Sequence, residues 1–210
     1  MIKILNLYAG IGGNRKNWTG DIQVTAVEFD PKIAAIYSHF YPDDILIVED
    51  AHQYLLEHYK EFDFIWSSPP CPTHSNIRRM GVKIGRYPAV YPDIRLWEEI
   101  TLLTHFCDAP WVVENVNLYY KPIIEPAFKL DRHTFWSNFY APPTDFKGRG
   151  VTHKNLNGAN HTIYGVNIAG FDCPDKRRLL RNMVNPEVGE YIFNTAMGYK
   201  TQTVQMEMFG

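Results

Sequence analysis

An apolar run at residues 2–7 that breaks directly into Tyr8-Ala9-Gly10-Ile11-Gly12-Gly13 narrows the possible folds more than any other stretch of the chain. β-rich runs buried on both faces belong to parallel sheets, and glycines at a strand's end let the backbone approach a ligand closely. Short β-rich runs at 23–29, 45–48, 62–66 and 111–113 then alternate with helical stretches, which is the rhythm of βαβ units. Asp30-Pro31 opens the first helix as N-cap and first helical residue, running toward Phe40. Residues 51–59 and 93–106 read as two more, the second with Leu96, Ile100, Leu103 and Phe106 near helical spacing. The expected fold is α/β, a doubly wound Rossmann-like sheet. At 210 residues and 45% hydrophobic content, one core and one domain are expected.

Residues 141–175 differ, with five glycines, several asparagines and only short apolar runs; they read as loops with a candidate hairpin. Residues 177–193 read as a terminal helix, with a loop carrying Arg181-Asn182-Met183-Val184-Asn185-Pro186. Three cysteines, Cys71, Cys107 and Cys173, include no C-x-x-C pair, so neither a disulfide framework nor a zinc knuckle is expected. No metal is expected, the setting is expected to be reducing and cytoplasmic, and no run of 18 apolar residues points to a membrane. A net charge of −2 excludes a uniformly basic nucleic-acid coat and leaves local patches open.

Glu28 closes the second β-rich run, 18 positions beyond Gly10. An acid there can accept both hydroxyls of a ribose, so the pair reads as a nucleoside-cofactor site; a structural turn beside a solvated acid fits the same residues. Asp50 after the third run suits an adenine amino group, or equally a helix N-cap. In Ser67-Ser68-Pro69-Pro70-Cys71-Pro72-Thr73-His74-Ser75, prolines fix the backbone around a lone thiol at the carboxyl edge of the sheet. That presents a nucleophile, whereas the alternative is a buried structural cysteine. Glu114 in Val113-Glu114-Asn115-Val116 stands at another strand end, where a carboxyl kept protonated can bond a base nitrogen, or where it serves as a cap or ion pair.

In order and spacing, the glycine stretch, Glu28, Asp50, Pro70-Cys71, Glu114-Asn115-Val116 and Arg181-Asn182-Met183-Val184 resemble the motif series of the C5-cytosine DNA methyltransferases. The resemblance covers most of residues 1–140 and the region around 177–193. It implies S-adenosylmethionine as cofactor, lined by Tyr8, Gly10, Gly12, Gly13, Glu28, Phe29, Asp50, Ala51, Pro69, Asn182 and Val184. It also implies that Cys71 adds to C6 of a flipped cytosine, that Glu114 bonds N3 and the exocyclic amine, and that Asn115 orients the Pro-Cys loop. Residues 1–140 and 176–204 would form the catalytic domain, 141–175 a reduced recognition insertion in a short, virus-like member, and 205–210 a tail.

The chain also departs from the family pattern. The arginine motif is nearest at Leu130-Asp131-Arg132-His133-Thr134, which leaves Arg132 to contact the base and lacks the second Arg. Basic residues follow the Pro-Cys loop, and His74, Arg78, Arg79, Lys83 and Arg86, with Arg149 farther on, are candidate nucleic-acid contacts; a solvated loop is the alternative. The tail, with Gln205, Met208 and Phe209, resembles peptides that dock bacterial DNA enzymes on a sliding clamp, and packing on its own domain is the alternative. Two rival functions stay open: methylation of RNA or a cytosine nucleotide, and a non-catalytic accessory protein.

Overall fold

Seven strands form one sheet in the order β3-β2-β1-β4-β5-β7-β6. They are β1 (Ile2–Leu7), β2 (Ile22–Val27), β3 (Ile45–Ile47), β4 (Phe64–Ser67), β5 (Trp111–Val116), β6 (Phe128–Leu130) and β7 (His133–Ser137). The computed structural model describes residues 1–144, 146, 162–173 and 175–198. The first five strands run parallel, and β7 is antiparallel to both β5 and β6. Chain order reverses between β1 and β4, so a crevice opens at their carboxyl ends, where sheets of this kind place their ligands. Tyr8 to Gly13, Glu28, Cys71 and Glu114 all lie on that edge.

Side-chain alternation divides the core in two. On one face Ile4, Val24, Phe64, Trp66, Val112 and Phe135 pack under Trp18 and under Val188, Ile192 and Phe193 of the terminal helix. On the other, Leu5, Leu7, Ile65, Val113 and Trp136 pack under Ala51 and Leu55 of α2 (Ala51–His58) and under Leu96, Trp97, Ile100 and Leu103 of α4 (Arg95–Phe106). Helix α1 (Pro31–Phe40) starts at Asp30, whose carboxylate accepts from Lys32 N and Ile33 N. It buries Tyr37 against Ala9 and Ala26.

Four expectations change. The stretch after Cys71 contains α3 (Asn76–Lys83), capped by Ser75, where a loop was expected. β5 continues to Val116, so Glu114 and Asn115 belong to the strand itself. β6 and β7 were not anticipated; the tight turn between them places Asp131 in the left-handed region at φ 53°. The expected single helix over 177–193 is two, α5 (Lys176–Asn182) and α6 (Pro186–Ala196). The reason is Asn185-Pro186: the Asn side chain caps Glu187 N and proline takes the first turn, where its missing N–H costs nothing.

The hairpin in the glycine-rich region exists, with β8 (Thr162–Ile163) paired to β9 (Val166–Asn167). It is not a detached module. Val166 and Ile168 are buried with Ile11, Ile36, Leu179, Leu180 and Met183. Arg149, Gln205, Met208 and Phe209 lie outside the described residues. Among the described residues no helix is long and apolar enough to cross a membrane, and no cluster of metal-ligating side chains occurs.

Candidate active site

The turn after β1 is held from three directions. Gly10 N donates to Glu28 Oε2 at 2.9 Å, and Asp30 N donates to Glu28 Oε1 at 3.0 Å, which ties the ends of β1 and β2 to one carboxylate. Burial raises the pKa of Glu28, and backbone donors from Asp30 and Gly10 oppose that rise. Gly12 sits at φ +76° with the Tyr41 ring where a side chain would go. At Gly13 a Cβ would stand 2.6 Å from Val184 O, so only glycine lets the α5–α6 segment come this close. Tyr8 itself takes a left-handed φ of 54° without being glycine, a conformation that costs energy and persists only when its surroundings impose it.

The Tyr8 side chain is anchored by Glu99, a residue outside the motif series. Glu99 is 1% exposed beneath the site. Its Oε1 accepts from the Tyr8 hydroxyl at 2.5 Å and meets His52 Nδ1 at 3.0 Å, and its Oε2 accepts from Ser67 Oγ at 2.6 Å. One buried carboxylate from α4 thereby joins the glycine turn, α2 and the end of β4. The hydrogen bond to Glu99 raises the pKa of His52, which its partial burial opposes. Helical spacing carried the signal: Glu99 lies three residues from Leu96 and four from Leu103, on the apolar face.

Cys71 and Glu114 come together on the adjacent strand ends. Asn115 Nδ2 donates to Pro69 O at 3.0 Å, binding β5 to the proline loop that carries the thiol. Burial pushes the Cys71 thiol up to about 11; the Glu114 carboxylate adds to this, and the Arg132 guanidinium acts against it. A single cleft is lined by Tyr8, Gly13, Ser68, Glu114, Asn182 and Val184 among others, so the glycine turn, β5 and the α5–α6 segment share one opening. Asp50 caps α2 through His52 N and Gln53 N, its second oxygen 3.7 Å from Arg95. Ala51 begins that helix and is buried, whereas Phe29 beside Glu28 is 74% exposed, leaving an aromatic face free at the rim.

Two assignments do not fit the geometry. Arg132, expected to reach the base, donates to the carbonyls of Arg181 and Met183 and so clamps the α5–α6 segment to the β6–β7 turn. His74, expected to touch nucleic acid, is fully buried with Nδ1 2.6 Å from the Tyr120 hydroxyl, because the chain turns inward where His74 N bonds Cys71 O. Arg79, Lys83 and Arg86 are exposed, while Arg78 is half-buried over the Tyr87 ring at 4.8 Å.

Residues 2–116 match the sequence model of the C-5 cytosine-specific DNA methylases. The chain belongs to this family. Among solved structures, the methylase chain is similar to DNMT2 of Spodoptera frugiperda, with 26% identity over 56% of this chain and 36% of that one, at a TM-score of 0.38. It is also similar to a putative DNA modification methyltransferase encoded within a prophage of E. coli, with 18% identity over 58% of this chain and 34% of that one, at a TM-score of 0.39. The present methylase therefore spans about a third of the length of these two. A search of the curated proteins returns no match.

Proposed function

We propose that the protein is an S-adenosylmethionine-dependent methyltransferase that acts on C5 of cytosine in DNA. The observation that carries this reading is that Cys71, after β4, and Glu114, on the neighbouring β5, act on each other at the carboxyl edge of the sheet, with the Cys71 loop tied to β5 through Asn115 and Pro69. A thiol beside an acid that lines the cleft suits covalent catalysis on a flat heterocycle.

The residues suit the cofactor. Glu28 uses one lone pair of each oxygen on a backbone N–H and keeps others for the two hydroxyls of a ribose. The exposed Phe29 offers a face to a purine, and Gly13, Asn182 and Val184 line the same cleft. When bound, S-adenosylmethionine supplies the methyl group.

The chain's own residues then act on the base. C5 of cytosine is a poor nucleophile until the 5,6 double bond is saturated. Cys71 loses its thiol proton to solvent and its sulfur bonds C6, while Glu114 gives a proton to N3 to take up the electrons displaced from the ring. Once C5 is methylated, its proton passes to solvent, the C5–H pair re-forms the 5,6 double bond as the S–C6 bond breaks to release the Cys71 thiolate, and the N3 proton returns to Glu114. Asn115 keeps the Cys71 loop in register throughout. Because C5 is hidden in a duplex, the base is flipped into the cleft, with exposed Arg79, Lys83 and Arg86 on the phosphates. Residues 141–175 would serve as the reduced recognition insertion, packed on the cofactor domain through Val166 and Ile168.

The deciding experiment is trapping with DNA containing 5-fluorocytosine, whose C5 fluorine cannot leave. An adduct on a denaturing gel that requires both S-adenosylmethionine and Cys71 supports the reading, and Cys71→Ser is expected to give none. Adducts on single-stranded DNA or RNA in preference to duplex would reassign the substrate. Cofactor binding without any adduct would favour an accessory role.

A further inference from the structure

His133 stands against Glu114 in the site. In the antiparallel pairing of β5 with β7, Val116 lies opposite His133 and Glu114 opposite Phe135. His133 is thus the diagonal neighbour of Glu114 on the same face of the sheet. Its Nε2 lies 3.5 Å from Glu114 Oε1, with the two side chains only 7% and 10% exposed. The other ring nitrogen, Nδ1, is buried without a hydrogen-bond partner. The residues on either side of His133 are committed elsewhere: Arg132 to the carbonyls of Arg181 and Met183, and Thr134 to Asn117 Oδ1 at 2.9 Å.

Burying an imidazole with one nitrogen unsatisfied is costly, and apolar residues fill most of the positions around it on this sheet. A polar ring is retained where its second nitrogen has work to do. We infer that His133 is the positioning residue of Glu114: Nε2–H donates to Oε1, which turns Oε2 toward the target base and stabilises the carboxylate formed after Glu114 passes its proton to N3. This rests on the methyltransferase reading for the role and on the structure alone for the pair. In the step, the Glu114 O–H bond breaks and N3–H forms; His133 keeps its own proton, and the reverse transfer restores the acid.

Other titratable and charged groups surround the pair. Cys71 on the loop after β4 feels both Glu114 and Arg132. Beyond Arg132, Asp131 of the same turn and Glu187 of α6 act together on Tyr164 of the hairpin. Changing His133 leaves Arg132, Asp131 and Glu187 in place but reaches Cys71 through Glu114, so the rate profile is read beside a direct titration of Glu114.

The test uses His133→Phe, which keeps a flat ring without the donor, and His133→Gln, which restores an amide donor at similar reach. Rates of 5-fluorocytosine adduct formation are followed from pH 6 to 9 beside cofactor affinity. The carboxyl carbon resonance of Glu114 is titrated in the free protein. His133→Phe is expected to form adduct at least tenfold more slowly at unchanged cofactor affinity. Its alkaline limb and its Glu114 titration midpoint are expected at higher pH than in the native protein, because the anion has lost its donor. His133→Gln is expected to recover most of both. Native rates and an unmoved limb in His133→Phe would overturn the inference, as would equal losses of trapping and cofactor affinity. If the native protein forms no adduct, the methyltransferase reading fails instead. The Glu114 titration then decides the pair by itself, an unmoved midpoint in His133→Phe counting against it.

Discussion

At the residue, the environment sets the chemistry each side chain can perform. Cys71 is held as a thiol, up to about 11, first by burial and then by the neighbouring Glu114 carboxylate. Only the thiolate attacks, so the resting protein is a poor target for alkylating reagents at pH 8, reacting roughly 100-fold more slowly than an ordinary exposed thiol. The rate should climb tenfold per pH unit well past pH 9. Mass spectrometry of iodoacetamide labelling against pH checks this; a plateau at pH 9 would mean that the thiol is not held up. Glu28 shows the converse arrangement, a carboxylate kept at a site whose burial raises its pKa. Glu28→Ala removes the joint between Gly10 and Asp30 and is expected to weaken S-adenosylmethionine binding at least tenfold by calorimetry. Unchanged affinity would remove Glu28 from the cofactor site.

Among elements, the strand ends were legible in the sequence because punctuation there is local. Glycines after β1, prolines around Cys71 and the acid closing β2 each state a backbone requirement within a few residues. What escaped depends on neighbours distant in sequence. The β6–β7 hairpin turns on Asp131-Arg132, which lacks the usual glycine signal. His133 reads as one more residue in an aromatic strand until Glu114 is placed diagonally from it. Glu99 looks like half of a charged pair with Glu98, and only its helical phase betrays that it faces inward. That carboxylate joins three elements, so Glu99→Ala strands Tyr8, His52 and Ser67 at once. A loss of about 3 kcal/mol is expected, against about 1 kcal/mol for Ser67→Ala. Denaturant unfolding measures both, and equal effects would show that Glu99 does not carry the junction. The basic helix α3 belongs to the same scale. Because Arg78 is stacked on Tyr87 while Arg79 and Lys83 are exposed, reversing the latter two should weaken DNA binding and flatten its salt dependence with cofactor affinity intact. Equal loss of both would detach α3 from nucleic acid.

For the whole molecule, several buried acids couple folding to pH on the alkaline side. Tyr37 donates to Asp44 Oδ2 at 2.7 Å, and Asp44 is gripped by Arg15 through two hydrogen bonds of 2.9 Å, so the segment after the glycine turn, α1 and the residue before β3 share one network. Burial first, then Asp44, drives the Tyr37 pKa far upward; burial first, then Glu99, does the same at Tyr8. Burial pushes Tyr41, whose hydroxyl donates to Gly12 O, up to about 12. In each case the folded chain keeps a proton that the unfolded chain has released, so the native state binds more protons once pH exceeds the ordinary value near 10. The stabilisation is fully present below pH 9 and is lost as pH rises. Each phenol contributes a slope of about 1.4 kcal/mol per pH unit above 10, and the Cys71 thiol adds a similar slope from about 9. Together they would exhaust a typical domain stability of roughly 5–15 kcal/mol within two to four pH units. Urea unfolding at pH 8, 9, 10 and 11 should give a nearly level stability to 9 and a steepening fall beyond it. Tyr41→Phe should reduce the slope between 10 and 11 by about one proton's worth, since its hydroxyl has no acid to leave behind. A flat profile through pH 11 would mean that these groups open to solvent before they titrate, and that the site they frame is looser than the hydrogen bonds at Gly10, Gly12 and Tyr8 indicate.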